Sequence, residues 1–434
     1  MPVFFTQLGA ICIGLSDNMM VGVLGKQALA SVSLANAVFF ITIIFGLGIS
    51  TGISSLIASV DAKQEYKKGA VIFHHGLILN FFLSVFMYGL IHIFCYVFPY
   101  LGQPENILNE TISFLRIVSI SFIPWMIFEV FRKFSEGLSI VFPGLIITWI
   151  SACFNIVLNY VFLYGGYGFP KLGTVGVAYA TLISRIIMLI GIFILLHKYK
   201  KVQNYYNQLK YFFLKKNMVK KILKIGIPSG LQMLFEVSAF AISSFISGKC
   251  GIKVLAAHQI VISLVSSTFL LSTGLSVTAT IRIGNQFALK NYLELKRIGK
   301  SIFFMGIIFM LICSFFFLFF RSSIPYIYIK NDDEVIKLAE KMIVIASLFQ
   351  LSDGLQGIIL GALRGLQDVH IPMWISFFSY WIIAIPTAWF LSIKMGGTGV
   401  WIGLGVGLTV SAMLLFIRYN TVIKRLIKKN TINI

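Results

Sequence analysis

The chain has 434 residues, of which 58% are hydrophobic and 12% are charged, and its mean hydropathy is +0.90. This composition excludes an ordinary soluble globular protein and predicts an integral membrane protein. A formal net charge of +21 would suggest nucleic-acid binding in a soluble domain. Here the Lys and Arg residues fall in short connections between apolar segments, where they determine topology. We therefore expect contact with a lipid bilayer and no nucleic-acid partner.

Twelve apolar segments, each about long enough to cross a bilayer as a helix, predict an all-α integral membrane protein. They span roughly 2–24, 33–60, 71–98, 107–128, 140–163, 174–196, 225–247, 254–281, 301–320, 336–361, 371–393 and 399–417. No cleavable signal peptide is predicted, because the first segment lacks a basic lead-in and a cleavage site. It begins directly after Met1, so the start of the chain is either natural and short or truncated.

The distribution of basic residues predicts the orientation of the bundle. Even-numbered connections and the C-terminal stretch carry twenty-five Lys and Arg residues, whereas odd-numbered connections carry seven. This bias places both termini in the cytoplasm of a multi-pass protein in a bacterial-type plasma (inner) membrane. We expect an N-terminal six-helix lobe (1–196), a basic cytoplasmic linker (197–224), a C-terminal six-helix lobe (225–417) and a basic cytoplasmic tail (418–434).

The two halves of the chain repeat. A shift of 226 positions aligns Gly25 with Gly251, Ser50 with Ser276 and Tyr66 with Tyr292; a shift of 228 aligns Gly137 with Gly365, and a shift of 223 aligns Gly173 with Gly396. Two six-helix bundles of the same orientation imply a pseudo-two-fold axis along the membrane normal. Transporters built in this way hold their substrate and coupling ions near the midplane.

Three acids lie deep in apolar segments: Asp17, Glu236 and Asp353. An unpaired carboxylate at the midplane costs several kcal/mol, so such a group is retained for binding or as an internal hydrogen-bonding clamp between helices. Asp17 and Glu236 have no acidic mate across the repeat, which favours a specialised role. A buried carboxyl can bind a proton or, with other oxygen ligands, a hard cation such as Na⁺. A cationic substrate would compete for the same charge, which is the requirement for an antiporter.

Several other side chains are candidates for the same sites as these acids. Asn155 and Asn159 lie four residues apart on one helix face, Thr181 lies on the following helix, and Gln259 is a further polar candidate. Each alone is typical of helix packing, and together with the acids they could line cavities. Arg185 is expected near the cytoplasmic interface, where a long basic side chain is solvated. Five scattered cysteines (Cys12, Cys95, Cys153, Cys250 and Cys313) indicate neither a disulfide framework nor a zinc site.

The ordered motifs resemble those of the multidrug and toxic compound extrusion (MATE) family over essentially the whole chain. They are PVFFTQLG, SDNMMVGVLG and ALASVSLA in the first two segments, NIVLNYVF in the fifth, PSGLQMLFEVSAF and LAAHQI in the seventh and eighth, and DGLQGIILGALRGLQDVHIPM across the tenth and eleventh. The resemblance implies export of amphipathic organic cations in exchange for Na⁺ or H⁺ by alternating access. It implies a transporter rather than an enzyme, with no cofactor, and we expect a monomer.

The resemblance also implies roles for individual residues. Glu236 and Asp353 match the acids that form a cation site, which could hold Na⁺, in the second lobe of the NorM-like branch, and Gln259 matches their helix-eight partner. Asp17, Asn155, Asn159 and Thr181 match the first-lobe site of the DinF-like branch. Two departures are Asn159, where some DinF-like members carry Asp, and Phe349, where some NorM-like members carry Tyr. With both acid sets present, the chain is most similar to the NorM-like branch.

Two other functions are open at this point. A flippase for lipid-linked saccharide precursors, from the wider superfamily, would need midplane Arg or Lys to hold a pyrophosphate. The deep charges of this chain are predicted to be acidic, which disfavours that function. A membrane enzyme or receptor is disfavoured by the repeat and by the lack of any nucleophile–base or metal-ligand cluster.

Overall fold

The computed structural model describes residues 2–101, 105–165, 168, 170–209, 215–329 and 332–432. Within these ranges the chain forms helices joined by short connections, with no β-strand. The α-helices are α1 (Pro2–Gly22), α2 (Lys26–Ala62), α3 (Tyr66–Val97), α4 (Glu105–Ile120), α5 (Phe122–Gly137), α6 (Phe142–Tyr164), α7 (Thr174–His197), α8 (Lys200–Tyr206), α9 (Lys216–Lys249), α10 (Ile252–Ala288), α11 (Tyr292–Phe319), α12 (Ile324–Tyr328), α13 (Asp333–Gly365), α14 (His370–Phe377), α15 (Ile385–Met395) and α16 (Gly397–Ile432).

The predicted apolar segments all fall on helices. Among the described residues, ten helical stretches are long and apolar enough to cross a membrane, and the pair α4–α5 makes eleven if it counts as one span bent by 41°. Helix α1 covers the first predicted segment. The predicted all-α membrane fold is confirmed, and the count of twelve segments agrees approximately with these spans.

One of the spans contains a local change of helix type. Between α14 and α15, residues Phe378–Ala384 form a π-helical turn. Pro386 is the second residue after this turn, and because proline has no backbone N–H, it cannot complete the normal α-helical ladder. A widened turn before a proline accommodates that loss. The turn carries Tyr380, a residue of the site described below.

The internal repeat is visible in the backbone. Left-handed φ values, which side chains other than glycine seldom adopt, occur in matched positions of the two halves. The pairs are Gln64 (57°) with Lys290 (59°), Ser139 (65°) with Gln367 (59°), Gly25 (112°) with Gly251 (123°), and Gly173 (60°) with Gly396 (58°). These pairs are separated by 226, 228, 226 and 223 positions, the shifts expected from the sequence. The two halves therefore share their turns as well as their helices.

Helix packing repeats in the same way. A Cβ on Gly137 of α5 would lie 2.9 Å from the carbonyl oxygen of Ser54 on α2. A Cβ on Gly365 of α13 would lie 2.7 Å from the carbonyl oxygen of Thr280 on α10. Small residues allow such close approach of membrane helices. The repeat mates thus serve the same contact in each half.

The chain divides into two compact units, Met1–Gly230 and Leu231–Ile434. The first holds α1–α8 and the start of α9; the second holds the rest of α9 and α10–α16. The core of the second unit includes Phe317, Phe349, Tyr380 and Trp401. Helix α16 continues to Ile432, so the predicted tail after residue 417 is helical where it is described.

The segment predicted as a linker contains a helix, α8, that packs against α2 within the first unit. Lys201 Nζ of α8 lies 2.7 Å from Asp61 Oδ2, and the Tyr205 hydroxyl donates to Asp61 Oδ1 at 2.9 Å. The Tyr205 side chain is fully buried, and burial together with the Asp61 carboxylate raises the pKa of its hydroxyl. Helix α8 is therefore anchored by packing and charge.

Two basic residues of a predicted connection are buried inside a helix. Arg132 and Lys133 belong to α5 and are 5% exposed. Arg132 Nη2 lies 2.7 Å from Glu129 Oε2, and Lys133 Nζ lies 2.7 Å from Glu136 Oε2. The predicted boundary was wrong because a fully paired ionic cluster can be buried when each charge has a partner.

Candidate cation sites in the two units

The first unit gathers its predicted polar residues around Asp17. This acid lies on α1 and is 6% exposed. Asn159 of α6 donates from Nδ2 to Asp17 Oδ1 at 2.5 Å, and Thr181 of α7 donates from Oγ1 to Asp17 Oδ2 at 3.3 Å. Asn155 accepts from Asn159 Nδ2 at 3.2 Å. The structure therefore brings all four of these residues together on three helices.

Arg185 also belongs to this cluster. It lies one turn after Thr181, near the middle of α7, and is an electrostatic neighbour of Asp17. Its Nη1 donates to Ser121 Oγ at 2.6 Å, and its guanidinium stacks 4.6 Å from the centroid of the Phe39 ring. Its expected place at the cytoplasmic interface is wrong: this central arginine is hydrogen-bonded to a hydroxyl and stacked on an aromatic face, and the Asp17 carboxylate attracts it electrostatically.

The second unit places Glu236 in a chain of polar contacts along α9. Gln232, one turn earlier, donates from Nε2 to Glu236 Oε2 at 3.1 Å. Arg364, in the last turn of α13, donates from Nη2 to Gln232 Oε1 at 2.8 Å. Arg364 is also an electrostatic neighbour of Glu236. The amide of Gln232 thus links a carboxylate on one helix to a guanidinium on another.

Asp353 of α13 lies in the same cluster as Glu236. It is 2% exposed, and its electrostatic neighbours include Glu236 and Tyr380. The Tyr380 hydroxyl donates to Gln356 Oε1 at 2.8 Å. Within the described residues, Asp353 Oδ2 has no hydrogen-bond partner. A buried acceptor in this state is costly, so this oxygen is the part of the cluster best suited to bind a ligand.

Gln259 does not join this cluster. It lies on an exposed position of α10, and no hydrogen bond between it and Glu236 or Asp353 is present in the described part of the chain. The adjacent His258 is instead fully buried, and its Nε2 lies 3.1 Å from the Ser244 hydroxyl. Of these two adjacent residues, the histidine is the buried one.

Sequence reasoning missed Gln232, Arg364 and Tyr380. Gln232 lies four residues before Glu236, a spacing that puts both on one helix face, so its signal was present. Arg364 was assigned to a connection because the predicted segment ended at residue 361, whereas α13 continues to Gly365. Tyr380 had no such signal, because its position depends on how α13 and the π-helical turn pack.

The donor set of the two clusters suits a hard monovalent cation or a proton. The groups offered are carboxylate, amide and hydroxyl oxygens, which hard cations prefer. No group of three or more His, Cys, Asp or Glu side chains able to hold a metal ion occurs among the described residues. Glu236 and Asp353 could hold Na⁺ only with additional oxygens from neighbours such as Gln356 and Tyr380.

A chain of membrane-length helices that repeats in two compact units, each built around a buried carboxylate, defines a polytopic membrane protein of the transporter type. The chain belongs to the MatE family, whose model matches residues 2–161 and 228–390. The resemblance to MATE transporters is thereby confirmed.

Curated relatives support this assignment over nearly the full length. The multidrug resistance protein NorM of Photobacterium profundum is 28% identical over 425 residues, covering 96% of this chain and 92% of the relative. The probable multidrug resistance protein NorM of Mannheimia succiniciproducens is 30% identical over 432 residues, covering 96% and 91%. The similarity to NorM proteins agrees with the predicted NorM-like branch.

Solved structures show the same fold. An outward-facing multidrug resistance MATE family transporter of the MOP superfamily has a TM-score of 0.90 at 20% identity, covering 98% of this chain and 95% of that one. A MOP superfamily transporter from Pyrococcus furiosus, described as having a binding pocket of reverse polarity, has a TM-score of 0.87 at 20% identity, covering 98% and 94%.

Proposed function

We propose that this protein is a secondary active antiporter that exports amphipathic organic cations, such as drugs and dyes, in exchange for Na⁺ or H⁺. The observation that carries this proposal is Asp353: a buried carboxylate oxygen with no hydrogen-bond partner among the described residues, beside the like-charged Glu236. Two acids in this state are stabilised when a cation or proton enters. The curated NorM relatives are named as multidrug resistance proteins, which supports the substrate class.

Competition for this pair supplies the exchange mechanism. Ionised Glu236 and Asp353 repel each other in a medium of low dielectric constant, and either a coupling ion or a cationic substrate relieves the repulsion. Because both ligands neutralise the same charge, binding of one weakens binding of the other. Thermodynamic reciprocity then requires equal coupling in both directions. Alternating access converts this competition into transport.

Asp17 is proposed as a second functional acid. Its two oxygens accept from Asn159 and Thr181, and Arg185 lies nearby. A proton or cation that reached Asp17 would have to replace part of this network. We therefore assign Asp17 a modulating role in coupling and assign direct cation binding first to Glu236 and Asp353.

Membrane placement follows the positive-inside bias of the basic residues. We propose a multi-pass protein of a bacterial plasma membrane with both termini in the cytoplasm. The protein acts as a monomer in this proposal, because each unit contains its own buried acid cluster.

The surroundings of the two arginines near the acid clusters disfavour the alternative function as a flippase. Arg185 binds Ser121 and lies beside Asp17, and Arg364 binds Gln232 and lies beside Glu236. A pyrophosphate would require guanidinium groups that are not already next to carboxylates. In both units the arginine compensates an acid instead.

The proposal is tested by efflux from proteoliposomes loaded with a cationic dye. Imposed inward Na⁺ or H⁺ gradients should each be applied alone, and at least one should drive efflux by the unmodified protein. Glu236→Gln and Asp353→Asn should abolish driven efflux. Glu65→Gln, which alters a partly exposed acid paired with Lys68, is the matched control and should transport normally. Normal transport by both acid variants would contradict the proposal.

A further inference from the structure

The buried acids of the chain differ in how their charge is balanced. Six acidic side chains are buried among the described residues: Asp17, Asp61, Glu129, Glu136, Glu236 and Asp353. Five have a basic side chain as an ion-pair or electrostatic partner, namely Lys201 for Asp61, Arg132 for Glu129, Lys133 and Arg132 for Glu136, Arg185 for Asp17 and Arg364 for Glu236. The charged neighbour of Asp353 is another acid, Glu236.

The cluster of the second unit therefore carries one excess negative charge when its acids are ionised. Glu236 and Asp353 contribute two negative charges, and Arg364 contributes one positive charge. The contacts of 3.1 Å from Gln232 to Glu236 and 2.8 Å from Arg364 to Gln232 hold this guanidinium in the cluster. Arginine stays protonated even in apolar surroundings, so its charge is permanent.

The cluster of the first unit is balanced without any ligand. Asp17 contributes one negative charge, and Arg185 contributes one positive charge on the helix that also carries Thr181. The remaining partners, Asn155 and Asn159, are neutral. An added cation would leave this cluster with a net positive charge, which is unfavourable in an apolar environment.

We propose that Arg364 is a specificity-determining residue that limits the acid cluster of the second unit to one net negative charge, so that this cluster takes one monovalent cation at a time. This inference rests on the proposed antiport function and deepens it. It assigns the exchange to one monovalent organic cation against one Na⁺ or H⁺ in the second unit. Dications are disfavoured because they would leave the cluster positively charged.

A purely structural role for Arg364 predicts different behaviour. Arg364 lies in the last turn of α13, where a basic residue also interacts favourably with the helix dipole and where the bond to Gln232 joins two helices. If those contacts were its whole role, replacement would lower stability without changing which cations bind. The charge of the ligand therefore separates the two roles.

The experiment compares binding of a monocation and a dication to the purified full-length protein. Tetraphenylphosphonium and methyl viologen are suitable probes, and alkaline pH keeps competition by protons low. We expect wild type to prefer the monocation. Arg364→Gln doubles the net negative charge of the cluster and should shift the affinity ratio toward the dication by at least about ten-fold, since one charge acting across about 12 Å at an effective dielectric constant near 20 already gives that factor.

Three further variants complete the charge series. Arg364→Lys keeps the charge and should keep the wild-type ratio, even if the link to Gln232 is weakened. The double change Arg364→Gln with Glu236→Gln restores one net negative charge and should restore preference for the monocation. Arg418→Gln removes an arginine of the same unit whose ion-pair partner is Asp368, at 2.7 Å, and not an acid of the cluster, and it should leave the ratio unchanged.

The outcomes distinguish this inference from the proposed function. If wild type binds tetraphenylphosphonium and Arg364→Gln leaves the ratio unchanged, the charge-limiting role of Arg364 is overturned while cation binding stands. A ratio that shifts equally in Arg418→Gln also overturns it. If wild type binds neither probe and exports no cationic dye, both the proposed function and this inference fail.

Discussion

Asn159 donates a hydrogen bond to Asp17 across 142 residues of chain, with 2.5 Å between Nδ2 and Oδ1. This bond joins α6 to α1, and Thr181 adds a second donor from α7. Asp353 differs, because its Oδ2 has no hydrogen-bond partner within the described residues. The two acids should therefore respond differently to mutation: Asp17 is built into the first unit, whereas Asp353 is available to a ligand.

Replacing Asp17 should destabilise the protein. Asp17→Asn leaves the partly buried Arg185 guanidinium without its carboxylate and places an amide where two donors point. We expect a loss of about 1–3 kcal/mol in unfolding free energy. Arg185→Gln should also destabilise, and the double variant should lose less than the sum because the two residues interact. A coupling energy of roughly 0.5–3 kcal/mol should appear in thermal unfolding of the detergent-solubilised protein.

The control for this cycle is an arginine of the same unit outside the cluster. Arg116 lies on an exposed position of α4, so Asp17→Asn and Arg116→Gln should be additive. If the cycle with Arg185 were additive too, Asp17 and Arg185 would not be coupled, and the neutral balance of the first unit would be wrong.

Replacing Asp353 should have the opposite effect on stability. At alkaline pH, where both acids are ionised, Asp353→Asn removes a buried charge that repels Glu236, so the protein should unfold at the same or a higher temperature. Cation binding should fall to background, because the ligand loses its carboxylate. Higher stability together with lost binding is the expected trade-off at a binding site where like charges repel each other in the absence of a ligand. Unfolding temperature and tetraphenylphosphonium binding should be measured on the same preparation.

Asp61→Asn is the matched control for that experiment. Asp61 is buried to a similar extent, but its oxygens are occupied by Lys201 and Tyr205. Its replacement should lower stability and leave the affinity of the folded protein for the cation unchanged. A stability loss in Asp353→Asn as large as that in Asp61→Asn would mean that Asp353 is structural.

The residue pattern predicted the cluster of the first unit more completely than that of the second. Asp17, Asn155, Asn159 and Thr181 lie in uninterrupted helices, where spacing and family motifs fix the shared face. In the second unit, Gln259 lies on an exposed position, and Arg364 falls beyond the predicted end of its segment. Hydropathy places a helix end only to within a few residues, so a basic residue in the last turn is easily assigned to a loop.

The repeat was predicted in more detail than the sites. The shifts of 226, 228 and 223 positions match left-handed residues such as Gln64 and Lys290, because turn geometry is set by local sequence. The location of Arg185 was mispredicted because hydropathy counts an arginine as a cost. A hydropathy value carries no information on the Asp17 carboxylate or the Phe39 ring, which compensate the cost of burying the guanidinium after folding.

Docking of α8 should depend on the absence of a side chain at position 69. A Cβ on Gly69 of α3 would collide with the ring of Tyr205, so Gly69→Ala should displace α8. We expect a destabilisation of about 1–3 kcal/mol and faster tryptic cleavage between residues 198 and 216. Adding Tyr205→Ala to Gly69→Ala should give less than the summed effect, because the collision is then removed.

Gly89→Ala provides the control on the same helix. A Cβ at Gly89 would meet nothing within 4 Å, and alanine is favoured over glycine inside a helix by about 1 kcal/mol. This variant should therefore be neutral or stabilising, with an unchanged cleavage rate. Equal cleavage rates in Gly69→Ala and Gly89→Ala would show that the Tyr205 contact does not hold α8.

The packing of α10 against α13 should tolerate an added methyl group at one of two glycines one turn apart and not at the other. A Cβ on Gly361 would collide with the Ser276 carbonyl oxygen, whereas the nearest atom to a Cβ on Gly357 is Ser272 Oγ, at 3.3 Å. Thr280 Oγ1 also donates to the Gly361 carbonyl at 2.8 Å, so any separation of the helices breaks a buried bond.

Gly361→Ala should cost at least about 1–3 kcal/mol and lower both the yield of folded protein and its unfolding temperature. Gly357→Ala requires a shift of only a few tenths of an ångström and should cost clearly less. Equal losses in the two variants, measured by thermal unfolding in one detergent, would show that close approach at Gly361 does not determine this interface.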